Sequence, residues 1–243
     1  MRRRAAFTRP SAADNRFPRR NSTLALAIFD LDYTLLRGDS DHAWGEFLVE
    51  RNLVAADEYR RQNDRFYAQY QAGTLDIHEY LKFALYPLTQ HDRATLSAWH
   101  REFMEAKIRP MISARARELV DSHRRRGDSL LIITSTNRFI TEPIAREFGI
   151  DQLLATDAEV VNGRYTGRVA GEPCFREGKV TRLRQWLEEH NASLDESYCY
   201  SDSHNDLPLL DAVRHAVAVN PDAVLRAEAA RRGWPIIDLH QAS

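Results

Sequence analysis

The sequence predicts an α/β fold, a doubly wound parallel sheet carrying an inserted all-helical cap. Three observations predict it. Short apolar runs without polar alternation recur along the chain, the pattern of strands buried on both faces. Stretches with helical spacing separate those runs, which favours parallel strands joined by crossover helices. Residues 40–108 hold no strand-like run, so a block of helices interrupts the alternation.

Taken in order, Leu24-Ala-Leu-Ala-Ile-Phe29 is the first buried strand, and it ends abruptly in Asp30-Leu-Asp-Tyr-Thr34. The insert follows. Trp44, Phe47 and Leu48, then Phe66, Tyr67 and Tyr70, recur at three- and four-residue intervals. Asp76, followed by His78 and Glu79, opens a further helix that Pro87 is expected to close, and Asp92 to Ile108 forms another. Ser113 to Arg126 reads as a helix stopped by Gly127. Leu130-Leu-Ile-Ile133 is the next strand, ending in Thr134-Ser-Thr-Asn137, and Phe139 to Phe148 is a helix closed by Gly149. Asp157 to Val169 has the pattern of a hairpin turning near Asn162-Gly163. Gly178 to His190 is helical, and Tyr198-Cys-Tyr200 leads into Ser201-Asp-Ser-His-Asn-Asp206. A helix from Pro208, a strand His215 to Val219 and a helix after Pro221 complete the series.

Composition bounds the function classes. Over 243 residues, 43% are hydrophobic and 28% charged, which excludes disorder throughout and a fibrous repeat. Two cysteines, Cys174 and Cys199, exclude a disulfide scaffold and suit reduced thiols in a cytoplasmic protein. No apolar run approaches the roughly 18 residues of a membrane span. The net charge of −1 is uneven: residues 1–22 carry seven arginines against Asp14 alone, +6 in all, which leaves −7 for the rest. That stretch reads as a basic, disordered tail. A transit peptide or a nucleic-acid-binding arm shares its composition, but it lacks aromatic interleaving and any helical or zinc motif. The expected organisation is therefore a tail at 1–22, an α/β core at 23–39 and 109–243, and a helical cap at 40–108.

In open α/β sheets ligands bind beyond the carboxyl ends of the strands. Three strand ends carry candidate groups there: Asp30 and Asp32, Thr134, and Asp202 with Asp206. Each alone has a bland alternative. Aspartates two apart can form a turn, a threonine after a strand can cap a helix, and Lys179 opening a helix can be solvated. Other chemistries fit worse. As a calcium loop, Asp30 and Asp32 would need glycine where Leu35 stands and glutamate where Asp41 stands. There is no dinucleotide or Walker glycine loop, and His204 lacks a partner at zinc-ligand spacing.

Taken together, Asp30-Leu-Asp-Tyr-Thr34, Thr134, Lys179 and Asp202-Ser-His-Asn-Asp206 resemble, in order and placement, the four motifs of the haloacid dehalogenase (HAD) superfamily. The insert is similar to the C1 helical caps of that superfamily. Gly178-Lys-Val180 and Ser203-His-Asn-Asp-Leu207 look most like its phosphoserine-phosphatase-like branch, subfamily IB. The resemblance implies a Rossmannoid core and a Mg²⁺-dependent phosphomonoesterase acting on a small-molecule phosphate ester, with neither nucleic acid nor membrane as partner. It implies a metal held by Asp30, Asp202 and the Asp32 carbonyl, oxygen donors that suit a hard cation. Asp30 is then the nucleophile, forming an aspartyl-phosphate, and Asp32 the acid and base. Thr134, Lys179 and Asn205 bind phosphate, and Asp206 orients Lys179 or a metal-bound water.

Substrate choice is expected in the loop Arg37-Gly-Asp-Ser-Asp-His-Ala-Trp44, with Gly38 as hinge. Asp39, Asp41 and His42 are candidates to contact a polar or cationic leaving group, unless Ser40 or Asp41 merely caps a helix. Arg138 is a candidate for an anionic group. One departure from the branch matters. Its phosphoserine phosphatases carry a Ser-Gly-Gly-type second motif, where this chain has Thr134-Ser-Thr136. That weakens phosphoserine as substrate. The acidic Asp39/Asp41 loop would suit an amino-bearing ester, and the resemblance to this branch makes histidinol phosphate a candidate beside phosphoserine. The alternatives are a lipid head-group phosphatase, as in phosphatidylglycerophosphate hydrolysis, and nucleic-acid binding through the basic arm.

Overall fold

The computed structural model describes residues 25–241; Leu24 and the basic stretch 1–22 lie outside the described residues. The first strand, β1 (Leu26–Phe29), is buried along its whole length. Its alternate residues face opposite cores, because successive side chains of a strand point to opposite sides. A wide turn, Leu31–Leu35, follows Asp30, closed by the Leu36 N–H on the Leu31 carbonyl. Within it Tyr33 sits at φ 54, a left-handed conformation uncommon for a bulky residue, and its N–H donates to the Gly38 carbonyl.

Four helices follow: α1 (Ser40–Glu50), α2 (Ala56–Gln71), α3 (Ile77–Thr89) and α4 (Arg93–Phe103). The last continues through a wider turn, Met104–Ile108, into the short α5 (Arg109–Met111). Asp39, Asp76 and Asp92 cap α1, α3 and α4, each side chain accepting backbone N–H groups of the first turn. The cap of α1 is thus Asp39, rather than Ser40 or Asp41. Pro87 does not close α3, which runs two residues further; its ring is buried within the last turn, where the Thr89 hydroxyl donates to the Tyr86 carbonyl. The strand-free stretch of the sequence is thus helical throughout its regular elements. Its two ends meet, with Leu36 bridging Ile112 and the Arg37 N–H donating to the Met111 carbonyl.

The chain then alternates. Helix α6 (Ala114–Arg126) is capped by Ser113 and stopped by Gly127 at φ 81. Next come β2 (Ser129–Asn137), α7 (Arg138–Glu147), β3 (Gln152–Thr156), and the hairpin β4 (Ala158–Val161) and β5 (Arg164–Val169). After these stand α8 (Glu177–His190), β6 (Ser197–Ser201), a single 3-10 turn at His204–Asp206, α9 (Leu207–Leu210), β7 (His215–Val219), α10 (Ala223–Arg232) and β8 (Ile236–Ile237). The main sheet is wholly parallel, ordered β3-β2-β1-β6-β7-β8. Strands β3 and β8 are absent from the pattern read in the sequence. Both stand at the sheet edges, where β3 offers only Leu153–Ala155 between Gln152 and Thr156, and β8 only Ile236–Ile237.

Two hydrophobic cores sandwich the sheet. Ala27 and Phe29 of β1 pack with Ala116 and Val120 of α6, Ile140 and Ile144 of α7, and Trp44 and Phe47 of α1. Leu26 and Ile28 pack on the other side with Leu183 and Trp186 of α8, Leu209 of α9 and Leu225 of α10. Helices on both faces make the sheet doubly wound. The hairpin leans on the insert instead, through Tyr165 and Val169 against Leu85, Leu88 and Leu96.

Candidate active site

The strand order decides the site. Because β1 lies between β2 and β6, Asp30 emerges between the ends of those two strands, and its N–H donates to the Tyr200 carbonyl at 2.9 Å. The Thr34 hydroxyl lies 3.5 Å from Asp30 Oδ2 and 3.2 Å from Asp202 Oδ1, so a single side chain spans both carboxylates. Lys179 reaches the same point from α8 with only 2% of its surface exposed. Its ammonium donates to Asp30 Oδ1 at 2.8 Å and to Asp206 Oδ2 at 2.8 Å, and the Ser201 hydroxyl donates to Asp206 at 2.7 Å. Asp206 thus joins Lys179 to Ser201.

The electrostatics follow from burial. Desolvation pushes the Asp30 carboxyl up to about 7, although Lys179 beside it opposes the rise. Asp202 is pushed well above the carboxylate range by burial and then by the nearby Asp30. Burial alone would lower the Lys179 pKa, but Asp206 and Asp30 outweigh it and hold it well above the usual lysine range. No three His, Cys, Asp or Glu side chains converge as a metal cage among the described residues. What the site offers instead is two desolvated, mutually repelling carboxylates, Asp30 and Asp202, beside neutral oxygens. Such an all-oxygen set fits a hard divalent cation, which would relieve the repulsion and keep Asp30 ionised.

Asp32 is held apart from this pair. Its Oδ1 accepts the Ser40 N–H at 2.7 Å and its Oδ2 accepts the Thr136 hydroxyl at 2.9 Å. Burial, then the charge of Asp39, pushes its carboxyl up to about 7. Thr134 is buried at the cavity wall, where its hydroxyl accepts the Thr136 N–H at 3.2 Å. It does not cap α7. Strand β2 runs on to Asn137, whose side chain takes the Ile140 N–H instead.

A cavity opens above Asp30 and Asp32. Asp39, at the start of the helical insert, and Asp41, His42, Tyr67, Tyr70 and Tyr80 within it line the cavity, with Thr134, Ser135, Thr136 and Phe175 of the core. Asp39 faces it while capping α1, and burial together with Asp41 pushes it up to about 6. Asp41 is pushed up to about 7 by burial, although the Tyr80 hydroxyl donates to it at 2.5 Å. His42 contacts Asp64 at 3.1 Å and packs on Tyr67.

Two expected residues are engaged elsewhere. Arg138 lies in a different cleft, paired with Asp157 at 2.5 Å and donating to the Leu153 carbonyl, so it does not face the cavity. Asn205 accepts from Arg176 Nε at 3.0 Å and donates to the Ser203 hydroxyl, which leaves one amide hydrogen uncommitted by these contacts. Arg176 itself was not foreseen from the sequence. At φ 48 it precedes α8, and it also donates to the Gly73 carbonyl between α2 and α3, tying core to insert. Tyr67, Tyr70, Tyr80 and Thr136 are further wall residues missed in the sequence. Their helical or strand spacing is that of ordinary packing residues, so only Thr136, two past Thr134, carried a local signal.

The model for haloacid dehalogenase-like hydrolases matches residues 27–211. A histidinol-phosphatase of Neisseria meningitidis serogroup C (strain 8013) is 50% identical over 217 residues, covering 88% of this chain and 98% of that protein. A solved structure of a protein of unknown function from Bordetella pertussis Tohama I is 47% identical, with a TM-score of 0.85 over 90% of this chain and 100% of the other. A phosphoserine phosphatase solved as an analogue of its phospho-aspartyl intermediate is similar in fold, with a TM-score of 0.67 at 16% identity over 90% and 95% of the two chains. The chain is therefore an enzyme of the haloacid dehalogenase-like hydrolase family, phosphoserine-phosphatase-like in fold.

Proposed function

We propose that this enzyme is a Mg²⁺-dependent phosphomonoesterase that hydrolyses an amino-bearing alkyl phosphate, histidinol phosphate foremost. The observation that carries the substrate choice is the cavity wall. Among its described lining residues are Asp39, Asp41 and three tyrosines, and no lysine or arginine. Carboxylates and aromatic faces attract an organic cation. A substrate carboxylate, as in phosphoserine, would face Asp39 and Asp41 there with no lysine or arginine to pair with. The 50% identical relative named a histidinol-phosphatase supports the same choice.

In this reading Asp30 attacks phosphorus while the bond to the leaving oxygen breaks, giving an aspartyl-phosphate. Asp32, its carboxyl pushed up to about 7 by burial and so protonated in about half of the molecules at neutrality, gives its proton to the departing alkoxide. It then takes a proton from the water that cleaves the aspartyl-phosphate. Lys179 and the Thr134 hydroxyl bind phosphoryl oxygens, and Asn205, held by Arg176 and Ser203, would add its second amide hydrogen to them. Asp30, Asp202 and the Asp32 carbonyl would hold Mg²⁺, which supplies the positive charge that lets an anionic nucleophile approach an anionic ester. The helical insert, residues 40–108, serves as the cap that keeps bulk water out.

Steady-state assays on a panel containing histidinol phosphate, phosphoserine and p-nitrophenyl phosphate, with Mg²⁺ and with EDTA, test this reading. Histidinol phosphate should give the highest kcat/KM, and Asp30→Asn should abolish turnover. Preference for phosphoserine would refute the substrate assignment. Full activity of Asp30→Asn would refute the mechanism.

A further inference from the structure

The second strand-end motif reads Thr134-Ser135-Thr136. The hydroxyl of Thr136 has one acceptor in the structure, Asp32 Oδ2 at 2.9 Å. The opposite oxygen of the same carboxylate takes the backbone N–H of Ser40, the first residue of α1, at 2.7 Å. Asp32 is therefore gripped on both oxygens, once from the core strand β2 and once from the helical insert. The backbone of Thr136 is in turn held by its N–H on Thr134 Oγ1, and the residue is 6% exposed, so its hydroxyl has little access to solvent as a competing partner.

A carboxyl group can turn about its Cβ–Cγ bond, and proton transfer in a transition state demands an oxygen within hydrogen-bond reach of the leaving atom. Two donors on opposite oxygens stop that rotation. Each carboxylate oxygen keeps a second lone-pair direction, and Asp32 lines the cavity. A residue without a side chain at 136 would remove the core half of the grip.

We propose that Thr136 is a positioning residue for leaving-group protonation, acting through Asp32 rather than on the phosphate. This rests on the proposed role of Asp32 as the acid. In the step concerned, the Asp30–phosphorus bond forms, the bond from phosphorus to the ester oxygen breaks, and that oxygen receives the Asp32 proton. An alkoxide leaving group needs the proton and p-nitrophenolate does not. The parameter kcat/KM covers only the steps up to departure of the leaving group, so comparing the two esters isolates the contribution.

The test measures kcat/KM for histidinol phosphate and p-nitrophenyl phosphate in wild type, Thr136→Val, Thr136→Ser and Asp32→Asn, with thermal unfolding as a fold check. Thr136→Val should lower kcat/KM for the alkyl ester about 10- to 100-fold, part of the 10²- to 10⁴-fold that general acid catalysis supplies. The aryl ester should lose far less, and Thr136→Ser, which restores the hydroxyl, should recover the alkyl ester. Equal losses on both esters, or no rescue by serine, overturn the proposal while a leaving-group-selective Asp32→Asn leaves the underlying reading standing. Equal losses in Asp32→Asn overturn that reading itself. Should Thr136→Val fail to fold, Thr136→Ala carries the same comparison.

Discussion

The Tyr80 hydroxyl, from helix α3, stands 2.5 Å from Asp41 Oδ2, on the first turn of α1. The pair sets a 7% exposed carboxylate into a cavity wall where burial alone would favour its neutral form. If Asp41 faces a cationic leaving group, Asp41→Asn should raise KM for histidinol phosphate about 10-fold, the cost of one hydrogen bond to a charged group. A neutral alkyl phosphate should be nearly unaffected. Parallel changes for both esters would count against a cation-binding role.

The same substitution has a consequence for stability. The folded-state pKa of Asp41 is raised from 3.8 to about 7, so the folded protein holds a proton there that the unfolded chain has lost. A raised carboxyl pKa makes stability fall as pH rises between those two values. Asn cannot ionise. The advantage of Asp41→Asn over wild type in Tm should therefore be larger at pH 8 than at pH 5, measured by differential scanning calorimetry. A gain that is flat across that range would show that Asp41 titrates normally.

Gly178 precedes the buried ammonium of Lys179, and a Cβ at that position would sit 2.1 Å from the Pro173 carbonyl oxygen. Backbone has to shift to admit even a methyl group. We expect Gly178→Ala to cost about 1–3 kcal/mol, as for other overpacked sites, and to lower kcat by moving Lys179 off Asp30. Urea unfolding and steady-state kinetics check the two effects separately. Wild-type behaviour in both would mean that the helix start yields without disturbing the site.

Addition of Mg²⁺ should raise Tm, since a ligand bound only by the folded state stabilises it by about 2.7 kcal/mol at 100 times its Kd. EDTA should remove both that increment and the activity. Asp202→Asn should weaken the Mg²⁺ dependence of Tm, a readout independent of turnover. An unchanged Mg²⁺ response in Asp202→Asn would place the cation elsewhere.

Cys174 and Cys199 are both fully buried, and burial pushes the Cys174 thiol up to about 12. Thiolate is the reactive form, so neither residue should react with iodoacetamide in the native protein. Mass spectrometry should find both alkylated only after denaturation. Rapid native alkylation without loss of activity would show that the core opens locally.

Much of the fold was legible because burial leaves a direct mark on sequence. Leu24–Phe29 and Leu130–Ile133 read as strands since a parallel sheet covered by helices on both faces needs unbroken apolar runs. The edge strands β3 and β8 carry no such run and exist through their pairing with β2 and β7. Helix caps Asp76, Asp92 and Ser113 were local events, settled within four residues.

For the candidate site, the sequence by itself determined which groups stand at the strand ends: Asp30, Asp32, Thr134 and Asp202. The strand order of the folded sheet, with β1 between β2 and β6, brings them beside one another. Tertiary structure alone decided the rest. Asn205 and Arg138 turn to Arg176 and Asp157, because a polar side chain takes whichever partner the folded neighbourhood brings nearest. Thr136 meets Asp32 across 104 positions, and Tyr80 meets Asp41 across 39. Hydrogen bonds act over about 3 Å and know nothing of separation along the chain. Contacts of that kind leave no periodicity to read, and here they fix the proposed acid and line the pocket.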